Sequence, residues 1–268
     1  MAWITTELES KTLGMPVELE LLIPQPGYKS LKQKDNFKVI ILLHGAHNDR
    51  TEWLLKSPIF ELVKEEPIVV VMPSAKNSFY ANSVTNMNYR DYITVELPEF
   101  IKNHFRVSDR REDWLIAGES MGGYGALMCG LSAPETFGQI ASFSGALDID
   151  AISQGPMALP TIQFEYIFGK DREALLNSDY NIFKKAKELA LNYEKNGMRE
   201  RLPRLFLCCG LSDGLLSMTK DFYEIVKNDY DTECSYAEGN HNFLYWNSVL
   251  PDMLDWFVET SLKVGVAP

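Results

Sequence analysis

The chain has 268 residues, of which 46% are hydrophobic and 24% charged, the balance of a globular protein with a large core rather than of a disordered one. Asp and Glu outnumber Lys and Arg by 37 to 26, a formal charge of −11. No basic cluster interrupts that excess, so nucleic acids and anionic membrane surfaces, which are bound through such clusters, are excluded as partners.

No run reaches the roughly 18 apolar residues of a membrane span. The opening, Met1 to Glu7, lacks the basic-then-apolar pattern of a secretory leader. None of the cysteines, Cys129, Cys208, Cys209 and Cys234, forms a C-x-x-C pair, and all lie in apolar stretches, as buried thiols in a reducing compartment do. A cytoplasmic protein is expected.

In chain order, the first elements read as two paired strands, Ile4 to Ser10 and Val17 to Ile23, around the turn-prone Leu13-Gly14, with Pro24-Gln25-Pro26-Gly27 ending the second. Short apolar runs then alternate with longer helical segments, the pattern of a parallel sheet covered on both faces. The runs are Val39 to Leu43, Ile68 to Met72, Trp114 to Ala117, Ile140 to Phe143 and Leu205 to Cys209. Thr232 to Ala237 alternates polar and apolar residues, as an edge strand does.

Tyr124, Leu127, Met128 and Leu131 form a helical stripe after the third run. Trp246, Val249, Leu250, Met253, Leu254 and Phe257 form a longer one near the C-terminus. Pro98 and Pro251 fall inside helical patterns, each as a kink or as a start. The interval from Leu147 to Pro203 is far longer than a simple crossover and predicts an insertion with its own helices, around Phe164 to Phe168 and Ile182 to Tyr193. The expectation is an α/β fold in a single domain over 1–268: a mostly parallel twisted sheet of about eight strands, helices on both faces, and a cap-like insertion at 147–203.

Gly118-Glu119-Ser120-Met121-Gly122 joins the strand ending at Ala117 to the helix carrying the Tyr124 stripe. A G-x-S-x-G turn in that position lifts its serine above the sheet and aims the N-terminal amides of a helix at it. A serine hydroxyl needs a base to become a nucleophile, and there are four histidines to choose from. His104 lies in a helical pattern and His44 ends a strand, both with structural readings. His47 follows in a loop, where it touches substrate or is solvated. His241 lies in the turn-rich Gly239-Asn240-His241-Asn242 between the last strand and the last helix, where a hydrolase of chain order Ser…Asp…His presents its base.

Asp213, just beyond the strand ending at Cys209, is the candidate to orient that base. Its competitors are Asp148 and Asp150, and its bland alternative is a helix cap. Oxyanion donors are expected from the backbone N–H groups of Met121 and Ala46. Phe79, Tyr80, Asn82, Phe164, Tyr166 and Phe168, with His47 and Trp246, are candidates for lining a substrate pocket. For the aromatic residues, core packing is an equal reading. No phosphate-binding glycine motif or metal-ligand cluster is present in the sequence, and the chemistry calls for neither metal nor organic cofactor.

Together these residues resemble the esterase D-like branch of the α/β-hydrolases, which includes tributyrin esterases, S-formylglutathione hydrolases, and acetyl-xylan and feruloyl esterases. The likeness rests on Leu42-Leu43-His44-Gly45 with Trp53, Met72-Pro73-Ser74 with Ser78-Phe79-Tyr80, Glu96-Leu97-Pro98, Ala117 to Ala126, and Gly239-x-His241 with Tyr245-Trp246. It is strongest to the small tributyrin esterases. That implies a serine esterase for short-chain acyl esters, including acetyl esters of sugars, with Ser120, Asp213 and His241 as triad, Ala46 and Met121 as oxyanion donors, and a homo-oligomeric assembly. The loop Ala46-His47-Asn48-Asp49-Arg50 departs from relatives, which carry a glycine near Asp49, so the entrance to the site is expected to differ.

Overall fold

The computed structural model describes residues 1–25, 36–154 and 159–264. Eight strands form one sheet: β1 (Ala2–Ser10), β2 (Met15–Ile23), β3 (Lys38–Leu43), β4 (Ile68–Pro73), β5 (Trp114–Glu119), β6 (Gln139–Phe143), β7 (Arg204–Gly210) and β8 (Thr232–Ala237). Their spatial order is β1-β2-β4-β3-β5-β6-β7-β8, with β1/β2 and β2/β4 antiparallel and the others parallel. The expected strands are all present, each with the same core and ends within about two residues, the usual uncertainty of element boundaries. Pro26 and Gly27 of the proposed stop lie outside the described residues.

The central strands are apolar along their whole length because both faces are covered. Val39, Ile41, Leu43 and Ile116 face one core, and Ile40, Leu42, Leu115 and Ala117 face the other. The first core is closed by the helices Met121–Ser132, Ile182–Lys195 and Leu216–Val226, the second by Glu52–Lys56, Ile59–Val63 and Phe243–Val264. Helix Met121–Ser132 is buried from Met121 through Leu131, not along one stripe, because the Ile182–Lys195 helix of the insertion packs on its outer side. On its inner side Gly122, Gly123 and Gly130 let it lie close to the sheet, where an added Cβ would meet Leu43, Ser142 and Ile140.

Pro98 lies inside a helical run that is continuous from Tyr89 to His104, just after its π-helical turn Tyr92–Glu96, and Pro251 sits inside the helix Phe243–Val264. Among the described residues the insertion carries the expected helices at Phe164–Phe168 and Ile182–Lys195 and also Ile149–Gln154, Arg172–Asn177 and the short 3-10 helix Arg199–Arg201. Among the described residues, no helix is long and apolar enough to cross a membrane.

The chain winds outward from β3 in both directions, to β4 on one side and β5 on the other. At such a switch point the loops leaving the two strands diverge and open a crevice beyond their carboxyl ends. His44 to Asn48 leaves β3 there, and Ser120 leaves β5.

Candidate active site

Ser120 has φ +55° and ψ −116°, a conformation rarely adopted by residues with a side chain. The surrounding backbone imposes it. The Ser120 N–H donates to the Phe143 carbonyl at 3.0 Å, and its own carbonyl accepts from Tyr124 N–H at 3.1 Å and Ala146 N–H at 3.0 Å. The turn closes only because its flanking residues lack side chains. A Cβ on Gly118 would lie 2.5 Å from the Gly122 carbonyl, and one on Gly122 would lie 2.5 Å from the Leu43 carbonyl oxygen.

His241 Nε2 is 2.9 Å from Ser120 Oγ, and its Nδ1 is 2.9 Å and 3.1 Å from the two Asp213 oxygens. The Asp213 side chain is 0% exposed and that of His241 36%, so the acid is sealed while the ring reaches the cavity. Burial alone would raise the Asp213 pKa. Hydrogen bonds from His241, the Leu215 N–H and Ser144 outweigh it and hold the carboxyl below its ordinary 3.8, as an anion. The arrangement can take a proton from Ser120 and stabilise the imidazolium that forms. Neither the Ala46 nor the Met121 N–H donates a hydrogen bond among the described residues. Ala46 borders the cavity over Ser120, and Met121 follows the serine directly as the first residue of its helix.

The rival acids are engaged elsewhere. Asp148 caps the helix Ile149–Gln154, accepting from the amides of Asp150 and Ala151, and Asp150 pairs with Arg172.

The cavity over Ser120 has a volume of about 390 Å³ and is bordered by Gly45 to Asn48, Glu52, Lys56, Glu119, Leu159, His241 to Phe243, and Trp246. Of the candidate lining residues, His47 and Trp246 are on this wall. His47 has φ +64° and joins Asn77 to the insertion, its Nε2 lying 3.0 Å from Thr161 Oγ1. Trp246 packs edge-on against His241 at 5.1 Å and donates Nε1–H to Ser144 Oγ at 3.0 Å.

The other candidates are elsewhere. Phe79 and Tyr80 are fully buried and line nothing here: Phe79 is the centre of an aromatic cluster with Tyr124, Phe164 and Phe168, and the Tyr80 hydroxyl donates to the His44 carbonyl at 2.8 Å. Asn82 is held within its own loop, accepting from the Asp91 N–H. Phe164 and Phe168 border a separate cavity of about 400 Å³ under the insertion, and Tyr166 points to solvent. Sequence reasoning missed Ser144, which links Trp246 to Asp213 from a φ of +47°. It also missed Glu52, Lys56 and Glu119, whose places on the wall depend on contacts between different elements.

His44 is structural. It is 1% exposed, donates Nδ1–H to the Gly45 carbonyl at 2.7 Å and accepts the Ala75 N–H at Nε2 at 2.9 Å, which fixes it as a neutral ring. Burial lowers its pKa below 6.5, against the opposing pull of Gly45, Glu52 and Asp49. An unfolded chain therefore takes up this proton at higher pH than the folded one. The resulting stability is complete above the unfolded value and is lost as pH falls through the folded one. We expect the melting temperature to fall more steeply from about pH 7 to about pH 5 in the wild type than in His44→Gln. Parallel curves would show that His44 does not titrate in this way.

The family model described as "Putative esterase" matches residues 10–257. An acetyl esterase of Caldicellulosiruptor saccharolyticus is 30% identical over 272 residues, covering 97% of this chain and 100% of that protein. Among solved structures, the fluorophosphonate-binding serine hydrolase F of Staphylococcus aureus superimposes with a TM-score of 0.83 at 26% identity, over 96% of this chain and 98% of the other. An S-formylglutathione hydrolase of the same organism gives 0.82 at 25% identity, over 96% and 98%. A ferulic acid esterase shares the fold at 20% identity, with a TM-score of 0.80 over 97% and 98%.

Proposed function

The chain belongs to the Esterase family and is an ester-hydrolysing enzyme of the α/β-hydrolase fold, and from that premise we propose that it cleaves short-chain acyl esters, acetyl esters foremost, through an acyl-Ser120 intermediate. The observation that carries this reading is the continuous chain Ser120 Oγ, His241, Asp213, at 2.9 Å and 2.9 Å, beside two unused amides. His241 takes the Ser120 proton as Oγ attacks the ester carbonyl. The Ala46 and Met121 N–H groups receive the developing oxyanion, and they bind it more tightly than the flat carbonyl it came from. His241 then protonates the departing alcohol, and it acts as base again for the water that releases the acid.

Similarity to an acetyl esterase along nearly the whole chain supports acetyl as the acyl group. The polar wall of Asn48, Glu52, Lys56 and Asn242 suits a hydroxylated leaving group such as a sugar. The test is a substrate panel: p-nitrophenyl acetate, butyrate and octanoate, acetylated xylan, and acyl thioesters. We expect acetate or butyrate to exceed octanoate by at least about tenfold in kcat/KM, a difference of about 1.4 kcal/mol in transition-state binding, and a fluorophosphonate to label Ser120. An octanoate preference overturns the short-chain reading. A marked preference for thioesters transfers the function to that class, and absence of both turnover and labelling removes the mechanism.

A further inference from the structure

Glu119, the last residue of β5 and the neighbour of Ser120, is 1% exposed, and its Oε1 has no hydrogen-bond partner among the described residues. Its carboxyl rests directly on Gly45, where an added Cβ would lie 2.7 Å from Oε2. Glu52, 4% exposed, approaches the same glycine. Its Oε2 accepts the Gly45 N–H at 2.9 Å, and its Oε1 accepts Lys56 Nζ at 2.9 Å. The two carboxyls thus converge on one glycine, Glu52 at its N–H and Glu119 against its Cα. The remaining polar groups around them are the neutral ring of His44, the Tyr80 hydroxyl and, farther out, Asp49.

Two adjacent buried carboxyls do not both ionise. Glu52 holds two donors suited to an anion, whereas Glu119 has no cation of its own. Burial first, and then the nearby Glu52, push the Glu119 pKa well up. One proton on the pair leaves one negative charge, and Lys56 balances it.

The peptide linking Gly45 to Ala46 is thereby held from three directions. Glu52 takes the Gly45 N–H, Glu119 supports its Cα, and His44 donates to the Gly45 carbonyl at 2.7 Å. That carbonyl belongs to the same planar unit as the Ala46 N–H. We propose that Glu119 and Glu52 share one proton as a buried acid pair, and that this pair is the positioning device that aims the Ala46 amide at the oxyanion. The inference rests on the reading of Ser120 as nucleophile and Ala46 as donor.

The experiment compares wild type, Glu119→Gln and Glu119→Leu as full chains, by steady-state hydrolysis of p-nitrophenyl acetate and by infrared difference spectroscopy. Glutamine still donates to Glu52, so Glu119→Gln should keep kcat within about threefold of wild type. Leucine fills the space without donating, and Glu119→Leu should lose roughly 30- to 100-fold in kcat with KM within about threefold, because a misplaced oxyanion donor acts on the transition state. The wild type minus Glu119→Gln spectrum at neutral pH should show the carbonyl stretch of a protonated carboxyl. Unchanged kcat in Glu119→Leu, an equal loss in both variants, or absence of that band overturns the proposal. Should Glu119→Leu fail to fold, the glutamine variant and the spectrum still decide. A wild type inactive on every ester would remove the functional reading instead, and the spectrum would still report on the pair.

Discussion

Ser120→Ala should lower kcat/KM for p-nitrophenyl acetate by on the order of 10⁴- to 10⁶-fold while leaving the fold intact. The Oγ atom is the only part of the side chain engaged, through His241 at 2.9 Å, and the backbone bonds that shape the turn do not involve it. The remaining activity would come from the oxyanion amides and the cavity, which can still gather substrate and water. Because nucleophile and base act as a unit, His241→Ala should cost about as much, and the double variant little more than either alone. Retention of more than about a hundredth of wild-type kcat/KM in Ser120→Ala would mean that another group is the nucleophile.

The same position has a stability consequence of opposite sign. A residue with a Cβ at φ +55° and ψ −116° is strained by roughly 1–3 kcal/mol. Glycine relieves that strain, although part of the gain is lost to the greater freedom of glycine in the unfolded chain. Ser120→Gly should therefore be inactive and melt about 2 °C higher than wild type, whereas Ser120→Ala keeps the strain and should melt near it. The contrast separates a position shaped for chemistry from one shaped for folding.

Most of the sheet was legible in the sequence because a parallel strand covered on both faces has no polar side to hide its pattern. Val39 to Leu43 and Ile68 to Met72 could not be read otherwise, and the alternation of Thr232 to Ala237 marked the half-covered edge. The helices Ile149–Gln154 and Arg172–Asn177 were not legible, since six residues are too few for a helical period to show. That Ser120 and His241 meet was legible because each lies in a turn between a strand and a helix, at the carboxyl ends of the strands.

Depth and cross-chain pairing were not. Phe79 and Tyr80 look like pocket residues until their burial beneath the helix Met121–Ser132 is known. The Glu52–Glu119 pair joins residues from two elements through Gly45, and neither residue alone differs from a solvated glutamate. Ser144 is an ordinary serine after β6 until its positive φ and its neighbours Trp246 and Asp213 are seen.

Asp213→Asn should reduce kcat by on the order of 10⁴-fold with little change in KM, and the hydrogen bonds around residue 213 show why the amide could not adapt. Asp213 Oδ1 accepts the Leu215 N–H at 2.8 Å, while Oδ2 makes the shorter contact, 2.9 Å, to His241 Nδ1. An asparagine must keep its oxygen toward Leu215, since reversing it would set two donors against each other in a fully buried position. Its NH₂ then faces Nδ1, which must accept, and the ring proton moves to Nε2. A histidine protonated at Nε2 cannot take the proton of Ser120. The geometry is preserved and the tautomer is wrong, so the loss falls on the chemical step rather than on binding. Asp148→Ala and Asp150→Ala, which remove a helix cap and a pair with Arg172, should leave kcat within about threefold, since they act on local stability and not on the base. A loss at either of them comparable to that of Asp213→Asn would reassign the acid.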